Sequence, residues 1–298
     1  MKNRDTFSGF HPIVNFLYFG LVIGCGMVFM HPVCLLISLV CSINYAVYLN
    51  GRKAIRFNLI YLLPMLIMTA LLNPMFNHEG ATILMYLPSD NPLTLESIIY
   101  GVAAAVMLIT VISWFTCYNA IVTSDKFIYL FGRIIPSISL ILSMALRFVP
   151  KFKMQIKSVS FSQRCIGRDV SNGSLLQRSK NAITILSIMI TWVLENAIET
   201  ADSMKSRGYG LPGRSAFSIY RFDKRDRNAL IFFLLCGAYV ITGYVLGGIY
   251  WQYFPIIFGI GSELYSISIF ICYFALCIAP VIINVKEDRK WTRLRSAI

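Results

Sequence analysis

Charged residues are scarce in this sequence: they make up 14% of its 298 residues, whereas hydrophobic residues make up 57%. Average soluble domains contain about 25% charged and roughly 45–50% apolar residues. A soluble chain with so little charge would expose large apolar patches and aggregate. The composition therefore excludes a soluble enzyme, a disordered chain and a nucleic-acid-binding domain in water, and it predicts an integral membrane protein.

Metal-ligand clusters and phosphate-binding loops are lacking as well. The three histidines are scattered, and the eight cysteines lie almost entirely in apolar runs without any CxxC pair. Cysteine in such surroundings usually behaves as a small hydrophobe, so we expect neither disulfides nor a metal site. The sequence also contains no GxxxxGK[ST] loop for nucleotide phosphates. We therefore expect this chain to have no catalytic residue and to bind no metal or cofactor itself.

Long apolar runs are what the sequence has instead. A helix needs on the order of 20 apolar residues, with a range of about 17–25, to cross a bilayer core of about 30 Å. Six segments meet this requirement approximately, which predicts an all-α integral membrane protein with about six transmembrane helices. The segments are Ile13–Met30, Val33–Leu49, Asn58–Asn73, Ser97–Val122, Ala229–Gly248 and Tyr265–Asn284.

The excess of 27 Lys and Arg over 14 Asp and Glu is confined to alternate loops. The loops at residues 74–96 and 249–264 contain acidic residues but no Lys or Arg. Cytoplasmic loops of membrane proteins carry an excess of Lys and Arg, so both termini are predicted to be cytoplasmic. This pattern divides the chain into N-terminal transmembrane helices (1–122), a cytoplasmic helical region (123–228) and C-terminal transmembrane helices with a basic tail (229–298).

Two further apolar stretches, Ile134–Val149 and Ala182–Ile198, lie in the basic middle region. If both crossed the membrane, residues 150–180 would place seven positive charges on the external side, against the charge rule. We therefore expect two long amphipathic helices at the cytoplasmic interface, each with an apolar face packed against the membrane bundle or against the other helix. The predicted faces are Leu142, Ala145, Phe148, Phe152, Ile156 and Val159 in the first helix, and Leu186, Ile190, Val193, Ala197, Ala201 and Met204 in the second.

The second amphipathic helix ends in a basic turn that contains Ser206, Arg207 and Gly208, and Pro136 is a start signal for the first. Gly208 can take the left-handed conformation that closes a helix. The Arg207 guanidinium opposes the negative end of the helix dipole, and it can also bind a carboxylate of a partner protein through two hydrogen bonds. The residues alone leave two interpretations open, an ordinary basic helix end and a protein-binding site.

The segment Ala201–Tyr209, with the sequence ADSMKSRGY, resembles the second Ala-Arg-Gly motif of the transmembrane T component of energy-coupling factor (ECF) transporters. Leu146–Pro150 is similar to the segment at the head of the coupling helix of this family, and His11-Pro12 and Arg221–Asp226 also fit. ECF transporters are bacterial and archaeal importers of vitamins and metal ions. The resemblance therefore implies a multi-pass protein of the cell membrane with two long cytoplasmic coupling helices.

The partners that the resemblance implies are two ABC-type ATPase subunits, which bind ATP and Mg²⁺, and a small substrate-binding membrane subunit, the S component. The chain itself would be a non-catalytic scaffold in the bilayer. The resemblance assigns Ser206, Arg207 and Gly208 to the contact with one ATPase. It also implies that the apolar outer surface of the coupling helices receives the S component, through Leu142, Phe148, Phe152, Leu186 and Ile190.

The first Ala-Arg-Gly motif, which should close the first coupling helix, departs from the family pattern. If Gly167 is the glycine of the motif, Ile166 occupies the position of the arginine. Arg164 and Arg168 are the neighbouring residues that supply positive charge here. We therefore expect Arg164, Gly167 and Arg168 to form the contact with the second ATPase.

Two other classes of function are alternatives. A membrane-embedded enzyme that modifies lipids would use the basic middle region to hold anionic headgroups, and it would need an essential His, Asp or Glu near the interface. A stand-alone secondary carrier would transport without ATP, but the predicted spans contain almost no charged residue and no evident internal repeat. Nucleic acid is not expected as a partner, and the sequence does not name a transported substrate.

Overall fold

The structure, a computed structural model, describes residues 5–86, 92–132, 135–211, 220–259 and 263–296. Within these residues ten α-helices hold nearly all of the regular structure, and the only strands form two short antiparallel pairs, β1–β2 and β3–β4. The predicted all-α class is confirmed. The elements are α1 (Pro12–Val28), α2 (Pro32–Asn50), α3 (Arg52–Phe57), α4 (Leu63–Phe76), β1 (Ile83–Tyr86), β2 (Pro92–Thr94), α5 (Leu95–Ile121), α6 (Ser124–Gly132), α7 (Pro136–Cys165), α8 (Leu175–Ser206), α9 (Lys224–Val245), β3 (Trp251–Gln252), β4 (Phe258–Gly259) and α10 (Leu264–Ser296).

Each of the six predicted spans is a helix in the structure. Five of them, namely α2, the continuous helix Arg52–Phe76, α5, α9 and α10, are long and apolar enough to cross a membrane, and α1 is an apolar helix of 17 residues. The longest departure is in α10, which continues to Ser296, well past the predicted end of the span at Asn284. α8 is also long and apolar enough to cross a membrane, so its position at the cytoplasmic interface stays a prediction that rests on charge.

The third span contains an irregular turn. α3 continues through a π-helical turn at Asn58–Leu62 into α4, and Pro64 lies in the first turn of α4. Proline has no N–H to donate, and its ring crowds the carbonyl four residues earlier, so inside a continuous helix it needs a local irregularity. The sequence places Pro64 inside a span, and the wider turn before it allows the span to continue.

The chain forms two compact units, one made of Met1–Phe127 and Tyr220–Ile298 and the other of Ile128–Ile219. The first unit has a core rich in aromatic rings, in which the Tyr18 and Phe233 ring centroids lie 4.9 Å apart. The fully buried Trp114 of α5 donates its indole N–H to the Ser38 hydroxyl of α2 at 2.9 Å. This hydrogen bond satisfies a polar group inside the apolar core and joins the two helices.

The connections between the helices of the first unit fall into two groups. The loops after α4 and α9 meet each other, where the Ala81 N–H donates to the Pro255 carbonyl at 3.1 Å. At the far end of α5 and at the start of α9, Lys126 and Asp226 contact residues 5–11, just before α1. This is the alternation of loops that the charge distribution predicts, while the assignment of the second group to the cytoplasm stays a prediction.

The second unit contains the two long amphipathic helices, α7 and α8. Near their midpoints the Phe152 and Trp192 rings meet edge to face, with centroids 5.8 Å apart. The Lys151 ammonium lies 5.2 Å from the centre of the Trp192 ring and donates to the side-chain oxygen of Asn196 at 2.7 Å. An aromatic pair, a cation–π contact and a hydrogen bond therefore join the two helices at their centres.

The buried face of α8 differs from the predicted one. Asn181, Ile185 and Met189 are buried, whereas Leu186 and Ile190, which were predicted to face inward, are 59% and 52% exposed. The prediction was wrong because it counted only apolar residues at helical spacing. The buried face includes a polar residue, since the Asn181 side-chain N–H donates to a carbonyl of the α7–α8 loop at 2.8 Å.

Candidate functional site

The end of α8 is closed by two hydrogen bonds around a glycine. The N–H of Gly208 donates to the carbonyl of Lys205 at 3.0 Å, and the N–H of Tyr209 donates to the carbonyl of Met204 at 3.0 Å. Gly208 has a φ of +80°, in the left-handed region. These features define a Schellman motif, in which Arg207 is the last residue before the glycine. The motif fixes the backbone that presents the exposed Arg207 side chain.

The end of α7 is closed in the same way. The N–H of Gly167 donates to the carbonyl of Arg164 at 3.0 Å, and the N–H of Arg168 donates to the carbonyl of Gln163 at 2.9 Å. Gly167 has a φ of +79°. Gly167 is therefore the structural counterpart of Gly208, and Ile166 occupies the position that Arg207 has in α8.

The two turns can be compared position by position, and each has a cation directly before its last helical residue. The matched pairs are Gln163 with Met204, Arg164 with Lys205, Cys165 with Ser206, Ile166 with Arg207, Gly167 with Gly208 and Arg168 with Tyr209. The second cation differs in place: it precedes the glycine at the end of α8 and follows it at the end of α7. The two helix ends thus have the same backbone conformation, but their second cation lies on different sides of the glycine in the sequence.

Arg164 and Arg168 have different surroundings. The Arg164 guanidinium lies 3.6 Å from the carboxylate of Asp169, although the Arg164 side chain stays 68% exposed. The backbone N–H of Ser171, which donates to Asp169 at 3.0 Å, and the charge of Arg164 hold the pKa of Asp169 below its usual range. Arg164 is therefore engaged by its own loop. Arg168 is exposed and follows the glycine directly.

Ser206 occupies the last helical position of α8, and its hydroxyl donates to the Ser203 carbonyl at 2.9 Å. The hydroxyl is thus bonded within its own helix, an arrangement common for serine near helix ends. The sequence interpretation did not single out Lys205 or Asp169. Both were recognisable from position, because Lys205 precedes Gly208 by the spacing that separates Arg164 from Gly167, and Asp169 is the only acidic residue between 150 and 180.

The residues predicted to receive the S component lie in two different settings. In α7, Phe148 and Phe152 are half-buried and stack with ring centroids 5.7 Å apart and planes 12° from parallel. Phe152 also touches α8 through Trp192, and Leu142 is half-buried. In α8, Leu186 and Ile190 are exposed. The predicted set is therefore partly a helix–helix contact and partly an open apolar surface.

The comparisons with known proteins agree on one family. The family model CbiQ, described as cobalt transport protein, matches residues 13–219. The matched range takes in the first four predicted spans and both long amphipathic helices with their glycine-closed ends.

Individual relatives match over shorter segments, and each is named energy-coupling factor transporter transmembrane protein EcfT. The protein of Lactobacillus helveticus is 35% identical over 102 residues, which are 34% of this chain and 37% of that protein. The Bacillus selenitireducens protein is 34% identical over 112 residues, 37% of this chain and 42% of the relative. The Lacticaseibacillus paracasei protein is 32% identical over 113 residues, 38% and 41% of the two chains. Each matched segment spans less than half of the relative.

Proposed function

The chain belongs to the CbiQ family, which contains the transmembrane T components of ECF transporters, and we propose that it couples ATP hydrolysis in two partner ATPases to uptake through a separate S component. The ATPases are of the ABC type and bind the ATP and Mg²⁺. The S component binds a vitamin or a metal ion. The chain contributes no catalytic group and acts as a scaffold in the cell membrane.

The observation that carries this proposal is the identity of the two helix ends. Gly167 and Gly208 close α7 and α8 with the same two hydrogen bonds and the same φ. Two ATPase subunits of one type would need two like docking elements. The repeated turn, with basic residues beside it, supports one ATPase contact at each helix end.

Charge supports the same assignment. Residues 147–228 contain 15 Lys and Arg and 6 Asp and Glu, a net charge of +9 out of +13 for the whole chain. Arginine binds carboxylates through two parallel hydrogen bonds, and such pairs fix both position and orientation. We therefore assign Arg207 with Gly208, and Arg168 with Gly167, to carboxylate-containing grooves of the two ATPases. Arg164 supports the first end through its ion pair with Asp169.

An apolar stripe on α8 supports a docking surface for the S component. Its members recur every three or four residues and are between 52% and 66% exposed: Ile183, Leu186, Ile190, Leu194 and Ile198. A stripe with this spacing is one face of a helix. Exposed apolar faces of this length mark contacts with lipid or protein. We assign the stripe to the S component, together with Leu142, Phe148 and Phe152 of α7.

The test is a charge reversal at one helix end. We expect Arg207→Glu to abolish co-purification of at least one ATPase, because it replaces the cation that meets a partner carboxylate with a like charge. Lys153→Glu is the matched control, since Lys153 is an exposed cation in the interior of α7. Retention of both ATPases by the Arg207→Glu complex, with normal ATP-driven uptake, would refute the contact.

A further inference from the structure

Residues 5–11, which we call the N-terminal clamp, contact both places where the chain passes between its two units. The chain leaves the first unit after Phe127 and returns to it at Tyr220. Lys126 lies next to the first crossing, and Asp226 lies shortly after the second. Both side chains are buried, with 6% and 2% of their surface exposed. Lys126 and Asp226 each form hydrogen bonds with the clamp.

Lys126 ties the first crossing to the clamp. Its ammonium donates to the carbonyl of Ser8 at 2.5 Å and to the carbonyl of Ile121, the last residue of α5, at 3.0 Å. With the side-chain amide of Asn15 turned to satisfy its neighbours, the Asn15 oxygen accepts a third bond at 3.0 Å. An ammonium has three donors, and each has an acceptor here. This explains how a lysine is buried at this position.

Asp226 ties the second crossing to the clamp. One carboxylate oxygen accepts from the N–H of His11 at 3.2 Å, and the other accepts from the N–H of Asp223 at 3.1 Å. The second bond belongs to a capping box that closes the start of α9. The same carboxylate therefore starts α9 and fixes the end of the clamp. The His11 and Phe222 rings add an edge-to-face contact, with centroids 5.3 Å apart.

Further contacts hold the clamp between these two points. Arg225 donates to the Gly9 carbonyl at 3.2 Å, and its guanidinium lies 4.2 Å from the centre of the Phe10 ring. The N–H of Phe7, whose ring is fully buried, donates to the side-chain oxygen of Asn284 in α10 at 3.1 Å. The clamp is thus anchored to a third helix of the first unit as well as to both crossings.

We propose that the N-terminal clamp fixes the two crossings of the coupling-helix unit, and that Lys126 and Asp226 are the positioning residues through which it acts. The consequence for transport rests on the proposed function. The two crossings are the covalent connections through which movement of α7 and α8 can pass to the membrane helices. A flexible crossing would not transmit this movement. Because the N-terminal clamp holds both crossings, they move together with the first unit.

Hydrogen–deuterium exchange of the full chain in detergent micelles tests the clamp without any partner. We expect Lys126→Met to speed exchange about tenfold in residues 5–11 and 222–228, as well as around position 126, because the three regions open together when their shared network is broken. Lys53→Met, which changes an exposed lysine of α3, should leave these regions unchanged. Lys126→Arg keeps donors for both carbonyls and should restore protection.

Faster exchange confined to residues 121–130 in Lys126→Met would overturn the clamp, because it would show a purely local role. Arg225→Gln provides the milder variant if Lys126→Met does not fold: it removes the cation over Phe10 and should raise exchange at residues 5–11 and at 121–127. No change at 121–127 in that variant would also overturn the clamp.

The second measurement uses the complex with its ATPases and adds ATP and Mg²⁺. In Lys126→Met we expect ATP hydrolysis to continue while the ATP-dependent change in exchange at the ends of α5 and α9 is lost. An unchanged response to ATP would overturn the positioning role. If no ATPase accompanies the chain, the proposed function fails, and the exchange result on the chain alone still decides whether the clamp exists.

Discussion

Gly167 and Gly208 have φ values of +79° and +80° and close α7 and α8 with the same pair of backbone hydrogen bonds. The residues that precede them, Ile166 and Arg207, have opposite chemical character. The same backbone turn therefore closes both helices, although only α8 has an arginine directly before the glycine. The glycine turn thus sets the backbone conformation of both ends, and the neighbouring cations, which differ in position, set their charge.

The first prediction concerns the two glycines themselves. A residue with a Cβ pays about 1–2 kcal/mol in the left-handed region, so Gly167→Ala and Gly208→Ala should each loosen a helix end by about 1 kcal/mol. Gly208→Ala should cost more, because the new Cβ would lie 3.2 Å from Leu211 Cδ1, whereas nothing lies within 4 Å at Gly167. Exchange of the last-turn amides in both variants measures the difference, and equal protection of wild type and variants would contradict it.

The second prediction concerns the cations of the first helix end. Arg168→Glu should weaken binding of one ATPase at least tenfold, or about 1.4 kcal/mol, because the exposed guanidinium is the charge nearest the glycine. Ile166→Arg installs the arginine that α8 has at this position and should restore binding in the Arg168→Glu background. Affinity of the detergent-purified chain for the ATPase pair measures both effects. If Ile166→Arg does not restore binding, the two helix ends bind their ATPases through different contacts.

The third prediction concerns the contact of α4 with α5. A Cβ at Gly101 would lie 2.8 Å from the Ala70 carbonyl and 3.1 Å from the Asn73 Cβ. A backbone carbonyl cannot move aside as easily as the end of a flexible side chain. Gly101→Ala should therefore destabilise the protein by about 1–3 kcal/mol. Gly24→Ala in α1 is the control: its Cβ meets nothing within 4 Å, and alanine favours the helix. Thermal unfolding in detergent compares them, and a Tm for Gly101→Ala at or above that of Gly24→Ala would contradict the packing.

The fourth prediction concerns pH. Burial lowers the pKa of His11 below its usual 6.5, although the charge of Asp226 opposes the shift. The ring nitrogen Nδ1 accepts from the Ile13 N–H at 3.3 Å and caps α1, so protonation breaks the cap. Because the unfolded chain binds the proton more readily, this stability is present above about pH 6.5 and is lost as the pH falls through the lower folded-state pKa.

His11→Asn is the matched variant for that prediction, since asparagine caps helices without titrating. Between about pH 7.5 and about pH 5.5, the Tm of the wild type should fall more than the Tm of the variant. His31 and His78 are present in both proteins and cancel in the comparison. Parallel pH profiles would show that His11 does not titrate in this way.

The sequence was sufficient to find the membrane helices and both glycine-closed helix ends. Span length and apolarity are local properties, and so is the combination of a glycine with a basic last turn, which placed the end of α8 next to Gly208. The alignment of Gly167 with Gly208 came from the resemblance to the first Ala-Arg-Gly motif of the family. Its proof required the hydrogen bonds, because several residues near position 166 are compatible with a helix end.

Features that depend on distant partners were not accessible in the same way. The buried face of α8 includes Asn181, whose burial depends on the carbonyl of Asp169 in the preceding loop. The N-terminal clamp joins residues more than 200 positions apart, as in the bond between His11 and Asp226. No local pattern of hydrophobicity encodes either contact. The helical extension of α10 beyond Asn284 was missed because a basic segment was taken only as an orientation signal.

Native mass spectrometry of the complex purified through this chain tests the central claim most directly. The account predicts one T component together with two ABC-type ATPase subunits and one small membrane protein, and loss of ATPase mass in the Arg207→Glu complex. Recovery of the folded chain without any ATPase, under conditions that keep the membrane complex intact, would contradict the account.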